Sequence, residues 1–159
     1  MIELRPIGDG DLAWLVGESP APPDAPRVCD GGIAPAQILA LLRTVATSLR
    51  EALRGDVCWL ILAQGEAVGM ISFTKTGQRP EIGYGVAPTR EGSGYATAAV
   101  AALLPLARAA GYAGLTAETG TDNRTSQLVL ERNGFTCTGS RIDPDDGALY
   151  TWTIGLNDD

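Results

Sequence analysis

The run Val86-Ala-Pro-Thr-Arg90-Glu-Gly92-Ser-Gly94-Tyr-Ala96-Thr97 has the residue types and spacing to bind an anion. Two glycines and a small residue let the backbone turn tightly at the start of a helix, with unpaired N–H groups pointing into one concavity. Those amides and the positive end of the helix dipole suit a pyrophosphate. Gly92, Ser93, Gly94, Tyr95, Ala96 and Thr97 are therefore candidate phosphate-binding residues, and Arg90 stands where it adds a formal charge. An ordinary glycine-rich loop between a strand and a helix has the same local pattern, so the rest of the chain must decide between the two.

Composition excludes several chemistries. The chain has no histidine, which removes every Ser-His and Cys-His catalytic arrangement. Cys29, Cys58 and Cys137 are widely spaced with no CxxC pair, so no metal site is expected. Cys58 lies in an apolar run and reads as a small buried hydrophobe. The net charge is −7, and the 12 cations are scattered arginines plus the single Lys75. Nucleic-acid binding needs a basic footprint, and none is present. An acidic surface favours a cationic or amine partner at long range. Glu3 precedes any apolar run, and no apolar stretch approaches the ~18 residues of a membrane span, so a cytoplasmic protein is expected.

At 159 residues, with 45% hydrophobic and 19% charged, residues 1–159 read as a single domain. Ile2–Ile7 alternates as a half-buried strand, and Asp9-Gly-Asp11 offers an N-cap for a short helix through Val16. Ser19–Gly32, rich in proline, reads as a loop. Ala34–Arg54 is amphipathic, with Ile38, Leu41, Leu42, Val45, Leu49 and Leu53 on its apolar stripe, Pro35 in its first turn and Gly55 after its end. Val57–Ala63 and Ala67–Thr74 form a hairpin, followed by a strand at Pro80–Val86. A helix opens at Gly94 and ends at Gly111, with a kink expected at Pro105. Gly114–Glu118 is a strand, Ser126–Arg132 a helix, and Phe135–Arg141 and Ala148–Leu156 two last strands. Only Pro80–Glu118 makes a strand–helix–strand crossover, so the remaining sheet is mostly antiparallel.

The segment from Val86 to Thr97 resembles the cofactor-binding motif of the GNAT acetyltransferase superfamily, in which a strand ending Val-x-Pro leads into a Gln/Arg-x-x-Gly-x-Gly/Ala loop. Asn123-Arg-Thr-Ser126 followed by Leu130-Glu-Arg-Asn-Gly134-Phe135 is similar to a signature of the branch containing ribosomal-protein N-terminal acetyltransferases. Glu91, rather than Gln or Arg, occupies the first loop position, and Leu130 stands where many members carry a tyrosine. The resemblance implies a mixed α+β fold: a mostly antiparallel, twisted sheet, splayed at one central parallel strand pair and flanked by helices. It implies acetyl-coenzyme A as cosubstrate, inserted ahead of Gly94 and Gly114, with main-chain groups near Tyr84 and Val86 holding the pantetheine. Asn123 is an N-cap that also contacts the cofactor, or a cap alone.

By the same resemblance, Glu81 is the first candidate for general base, Glu118 the second, and Ser126 the hydroxyl that meets the departing thiolate. Each glutamate reads equally as a solvated edge residue, and Ser126 as a serine bonding its own helix. The acceptor is a primary amine, on a protein N-terminus or a small molecule, entering near Ser19–Gly32 and the tip of the last hairpin. A homodimer is left open. Two other readings compete. Gly92-Ser-Gly94-Tyr-Ala-Thr97 with Glu118 downstream approaches a dinucleotide fingerprint, although Thr97 replaces the third glycine. The other is an acyl-coenzyme A-binding module without catalysis.

Overall fold

Alternation of apolar and polar side chains draws Ile2–Pro6 into the first strand, β1, in the computed structural model, which describes residues 1–157. Asp158 and Asp159, at the end of the chain's tail, lie outside the described residues. The cap of helix α1 (Asp9–Leu15) lies one residue before the expected Asp9-Gly-Asp11. Gly8 is the cap residue, and the Asp11 carboxylate reaches back to accept its N–H at 3.0 Å. Asp9 turns outward to Arg43 at 3.1 Å, and that guanidinium holds its carboxyl below the usual carboxylate range.

The Pro-rich loop contains a two-residue strand, β2 (Arg27–Val28), which pairs parallel with Glu66 and Ala67. Nothing in two residues could announce it; an open strand edge elsewhere in the chain recruits it. The next helix, α2, spans Ala36–Leu53, shorter than Ala34–Arg54. Its C-cap is Arg54 in the left-handed conformation (φ 58°), not a glycine. The expected apolar stripe is partly wrong. Leu39, Leu42, Ala46 and Leu49 turn inward, whereas Ile38, Leu41 and Val45 are exposed. Apolar residues fill a broader arc of this helix than the core uses, so periodicity could not say which edge of the arc faces in.

β3 (Cys58–Ala63) is buried at every position and pairs antiparallel with both β1 and β4 (Glu66–Phe73). The two-residue turn between β3 and β4, Gln64-Gly65, takes positive φ at both positions (53° and 78°), the twist a tight hairpin needs. With β3 along one edge of β4, its other edge is shared by β2 at one end and β5 (Ile82–Val86) at the other. Burial pushes the Cys58 thiol up to about 12, in keeping with an inert core residue.

After β5 a single 3-10 turn (Pro88–Arg90) leads to α3 (Tyr95–Ala109), which runs on through Pro105 and packs across the sheet through Ala99, Val100, Leu103 and Ala107. β6 (Gly114–Gly120), α4 (Arg124–Arg132), β7 (Thr136–Asp143) and β8 (Gly147–Gly155) complete the order. A second antiparallel sheet forms in the order β6-β8-β7.

The two sheets join through little backbone contact. Ala113 N–H donates to the Gln78 carbonyl at 2.9 Å and Thr116 N–H to the Pro80 carbonyl at 3.0 Å. Glu81 and Thr116 form one parallel bridge. Beyond it, β5 and β6 share no further pairing among the described residues. The architecture is therefore mixed α/β and splayed at one parallel strand pair, with the parallel contact reduced to a single bridge.

Candidate active site

β5 is bonded to β4 along one edge only. Glu81 C=O accepts from Thr74 N–H (2.7 Å) and Ala87 N–H donates to Val68 C=O (2.8 Å). Alternation along an antiparallel ladder then turns the main-chain groups of Tyr84 and Val86 away from β4, toward the splayed edge. Just past β5, Gly92 (φ 85°) and Gly94 (φ 78°) adopt left-handed backbone that other residues take only with strain. They swing the chain into α3, whose N-cap Gly94 offers no side chain to the first helical amides. The N–H groups of Tyr95, Ala96 and Thr97 are thus left for another partner.

These features wall one cleft of about 480 Å³, between β5, the turn before α3, and α4. Tyr84, Val86, Arg90, Gly92, Gly94, Tyr95, Ala96, Thr97, Asn123 and Ser126 all line it; Ser93 does not. Asn123 is the α4 cap, its Oδ1 accepting from Ser126 N–H at 3.1 Å. The Ser126 hydroxyl does not bond its own helix backbone. It meets the Tyr84 hydroxyl at 2.9 Å, and Tyr84 Oη also donates to the Ser126 carbonyl at 3.2 Å. Burial pushes the Tyr84 phenol above its ordinary range, opposed by the bond to Ser126. Sequence placed Tyr84 here for its backbone; its side chain is equally part of the site.

Arg90 reaches the cleft wall with its charge already engaged. Glu66 accepts from its Nε at 2.8 Å and its Nη2 at 3.2 Å, and is held below the usual carboxylate range by that bond. Glu91 is exposed on the rim. The cation that sequence reasoning missed is Arg132, which lines the cleft and makes no ion pair among the described residues. Thr125, Leu128, Val129 and Arg132 recur at helical spacing on the cleft side of α4, a signal the sequence carried.

Neither glutamate lines this cleft. Just before β5, Glu81 shares a face with Gly83 and Gly85, opposite to Tyr84. Its Oε1 accepts from Thr74 Oγ1 at 2.9 Å and its Oε2 lies 3.3 Å from Lys75 Nζ. The parallel bridge puts Thr116, and with it Glu118, on that same face. Glu118 is bonded by Arg141 through both guanidinium nitrogens Nε and Nη2, the latter at 2.8 Å. That bond holds its carboxyl below the ordinary range, which weakens it as a base.

On the Glu81 face of β5 lies a second cavity, of about 780 Å³. It is walled by Gly31–Pro35, by Ile38, Leu41 and Val45 of α2, by Met70 and Ser72 of β4 and Thr74 just after it, and by Gly83 and Gly85. The end of the Ser19–Gly32 loop borders this cavity, through Gly31 and Gly32, and no residue of the β7–β8 hairpin lines it. Tyr84, Gly85 and Val86 belong to both cavities, so β5 is the partition between them.

The solved structures of other proteins include many with this fold. RimL, a ribosomal alpha-N-protein acetyltransferase in complex with coenzyme A, superposes with a TM-score of 0.72 at 21% identity, covering 99% of this chain and 96% of that one. A Salmonella typhimurium acetyltransferase that modifies the N-terminal serine of a 50S ribosomal subunit protein gives 0.70 at 20%, covering 98% and 95%. YncA from Salmonella typhimurium, with its cofactor acetyl-CoA, gives 0.68 at 19%, covering 99% and 95%. No curated protein sequence matches the chain. The model of the acetyltransferase (GNAT) domain matches residues 2–136. With that match over most of its length, and a sheet split where a strand, a glycine turn and a helix converge, the chain belongs to the GNAT acetyltransferase family.

Proposed function

We propose that this protein transfers the acetyl group of acetyl-coenzyme A to a primary amine by direct attack in a ternary complex, in a reducing cytoplasm where its three free thiols persist. The observation that carries the proposal is the pair of cavities meeting at Tyr84–Val86, where the sheet splits. When bound, the cofactor supplies an activated acetyl thioester. The amides of Tyr95, Ala96 and Thr97, with Gly92, Ser93 and Gly94 shaping the turn, fit its pyrophosphate. Arg132 adds the unpaired charge, while Arg90 braces the turn through Glu66. The outward main-chain groups of Tyr84 and Val86, and Asn123, fit the pantetheine amides.

Ser126 and Tyr84 hold a proton-bearing hydroxyl pair at the head of this cleft, suited to the leaving sulfur. On the other side, Thr74 borders the acceptor cavity and donates to Glu81. An amine proton accepted by Thr74 Oγ1 passes the hydroxyl's own proton on to Glu81, which makes Glu81 the base one bond removed. Glu118, tied to Arg141, serves structure in this reading.

Calorimetric titration with acetyl-coenzyme A and, separately, with NADH tests the cofactor. Binding of the first and not the second is expected; the reverse would favour a nicotinamide enzyme. Release of free thiol from acetyl-coenzyme A on adding a primary amine is the activity test. Tight binding without release across all amines would make the protein a binding module.

A further inference from the structure

The outward stripe of α2 has no partner among the described residues. Ile38, Leu41 and Val45 expose 53%, 62% and 36% of their surface, large values for aliphatic side chains clustered on one helix face. They are not scattered surface residues, because all three border the cavity of about 780 Å³ on the acceptor side of β5. That size lies within the roughly 300–1,000 Å³ usual for small-ligand pockets. Across from the stripe lie Met70 and the bare backbone of Gly83 and Gly85. A Cβ at Gly85 would meet nothing within 4 Å, so the side chain missing there leaves open space beside the partition, whereas one at Gly83 would press on Thr74 Cγ2 at 3.2 Å.

The chemistry of the lining selects the ligand. Among the described residues its polar side chains are Ser72, Thr74 and Tyr84, the last with its hydroxyl turned to Ser126, and no charged side chain lines it. Glu81 and Glu118, on this face of the strand pair, are engaged by Lys75 and Arg141. A polyamine or amino sugar would bring further charges or hydroxyls into this lining without partners, which is costly. A peptide would bury its own N–H and C=O groups against two hydroxyls.

Resting on the acetyltransferase reading, we propose that the acceptor is a small primary monoamine carried on an apolar body. The body packs against Ile38, Leu41 and Val45, and the amino group points past Thr74 and Gly85 toward Tyr84–Val86. The nitrogen forms a bond to the acetyl carbon and loses one proton to Glu81 through Thr74. The carbon–sulfur bond breaks, and the sulfur leaves as a thiol with one proton from the Ser126–Tyr84 pair. An amide and free coenzyme A result, with no oxidant or reductant. An apolar lining also disfavours the ammonium form, which assists deprotonation.

The test measures kcat/KM at saturating acetyl-coenzyme A for straight-chain primary amines from butyl to octyl, for spermidine, and for a peptide with an N-terminal serine. Each added methylene should raise kcat/KM by about fourfold until the cavity is full, from the usual gain on burying a CH₂. Spermidine and the peptide should fall well below octylamine. Leu41→Asp, at an exposed position that does not hold the core, should raise KM for octylamine at least tenfold and leave the Kd of acetyl-coenzyme A unchanged. A flat series, or preference for spermidine or the peptide, overturns the apolar monoamine while leaving acetyl transfer intact. Acetyl-coenzyme A binding with no amine turned over also overturns it. Failure of the cofactor itself to bind removes the underlying reading with it.

Discussion

The hydroxyl of Tyr84 lies 2.9 Å from the hydroxyl of Ser126, joining the strand that separates the two cavities to the helix that closes one of them. In the proposed transfer this pair faces the departing sulfur. The Tyr84 phenol, pushed above its ordinary range by burial, then donates to Ser126 as Ser126 gives up its proton.

Ser126→Ala and Tyr84→Phe should each lower kcat, by as much as 10²-fold, the lower end of general acid–base effects. KM for acetyl-coenzyme A should stay near wild type, because the lost interaction forms in the transition state. The double variant should be little worse than either single one, since both break the same relay. Multiplied losses in steady-state assays would mean that the hydroxyls act independently.

Thr74→Val retains a β-branched side chain but cannot relay a proton. It and Glu81→Gln should both reduce turnover by roughly 10²-fold or more and flatten the acidic limb of the pH–rate profile. Near-normal turnover in Glu81→Gln would transfer deprotonation to the solvent.

Charge at the cofactor cleft is open to adjustment. Arg132→Gln should weaken acetyl-coenzyme A severalfold, with a loss that shrinks as salt rises. Glu91→Gln should tighten binding by about two- to fivefold, on the scale of exposed charge interactions. Calorimetry at two ionic strengths separates both effects from any change in folding.

Much of this arrangement could be read from the residues. Alternation located β1, two apolar, β-rich runs around Gln64-Gly65-Glu66 located the β3–β4 hairpin, and Gly92, Gly94, Gly111 and Gly134 marked where helices begin and end. Local rules reach that far because strands, turns and caps depend on near neighbours. The missed features join distant parts of the chain. Arg90 and Glu66 are 24 residues apart, and Tyr84 and Ser126 are 42 apart. The outward set of α2 depended on which edge of a broad apolar arc the sheet covers, and β2 on an unoccupied edge of β4.

The Glu118–Arg141 pair should show in stability against pH. Arg141 lowers the carboxyl's pKa in the folded state, so its contribution is present above the unfolded carboxyl range and lost as pH falls through the folded value. Arg141→Met should therefore lower Tm at pH 7, by an amount that shrinks as pH falls below the unfolded glutamate range (pKa ~4.3) and on toward the folded value. A Tm difference independent of pH, in melts across that range, would assign the loss to packing.

Gly85→Val tests most directly whether acetyl transfer crosses β5. Gly85 sits in the partition, its backbone is compatible with a β-branched residue, and its Cβ would project into open space on the acceptor side. Calorimetry with acetyl-coenzyme A, run beside thiol release with octylamine, should show cofactor affinity close to wild type and transfer reduced at least a hundredfold. Undiminished transfer in this variant would contradict an acceptor cavity on that face of the strand.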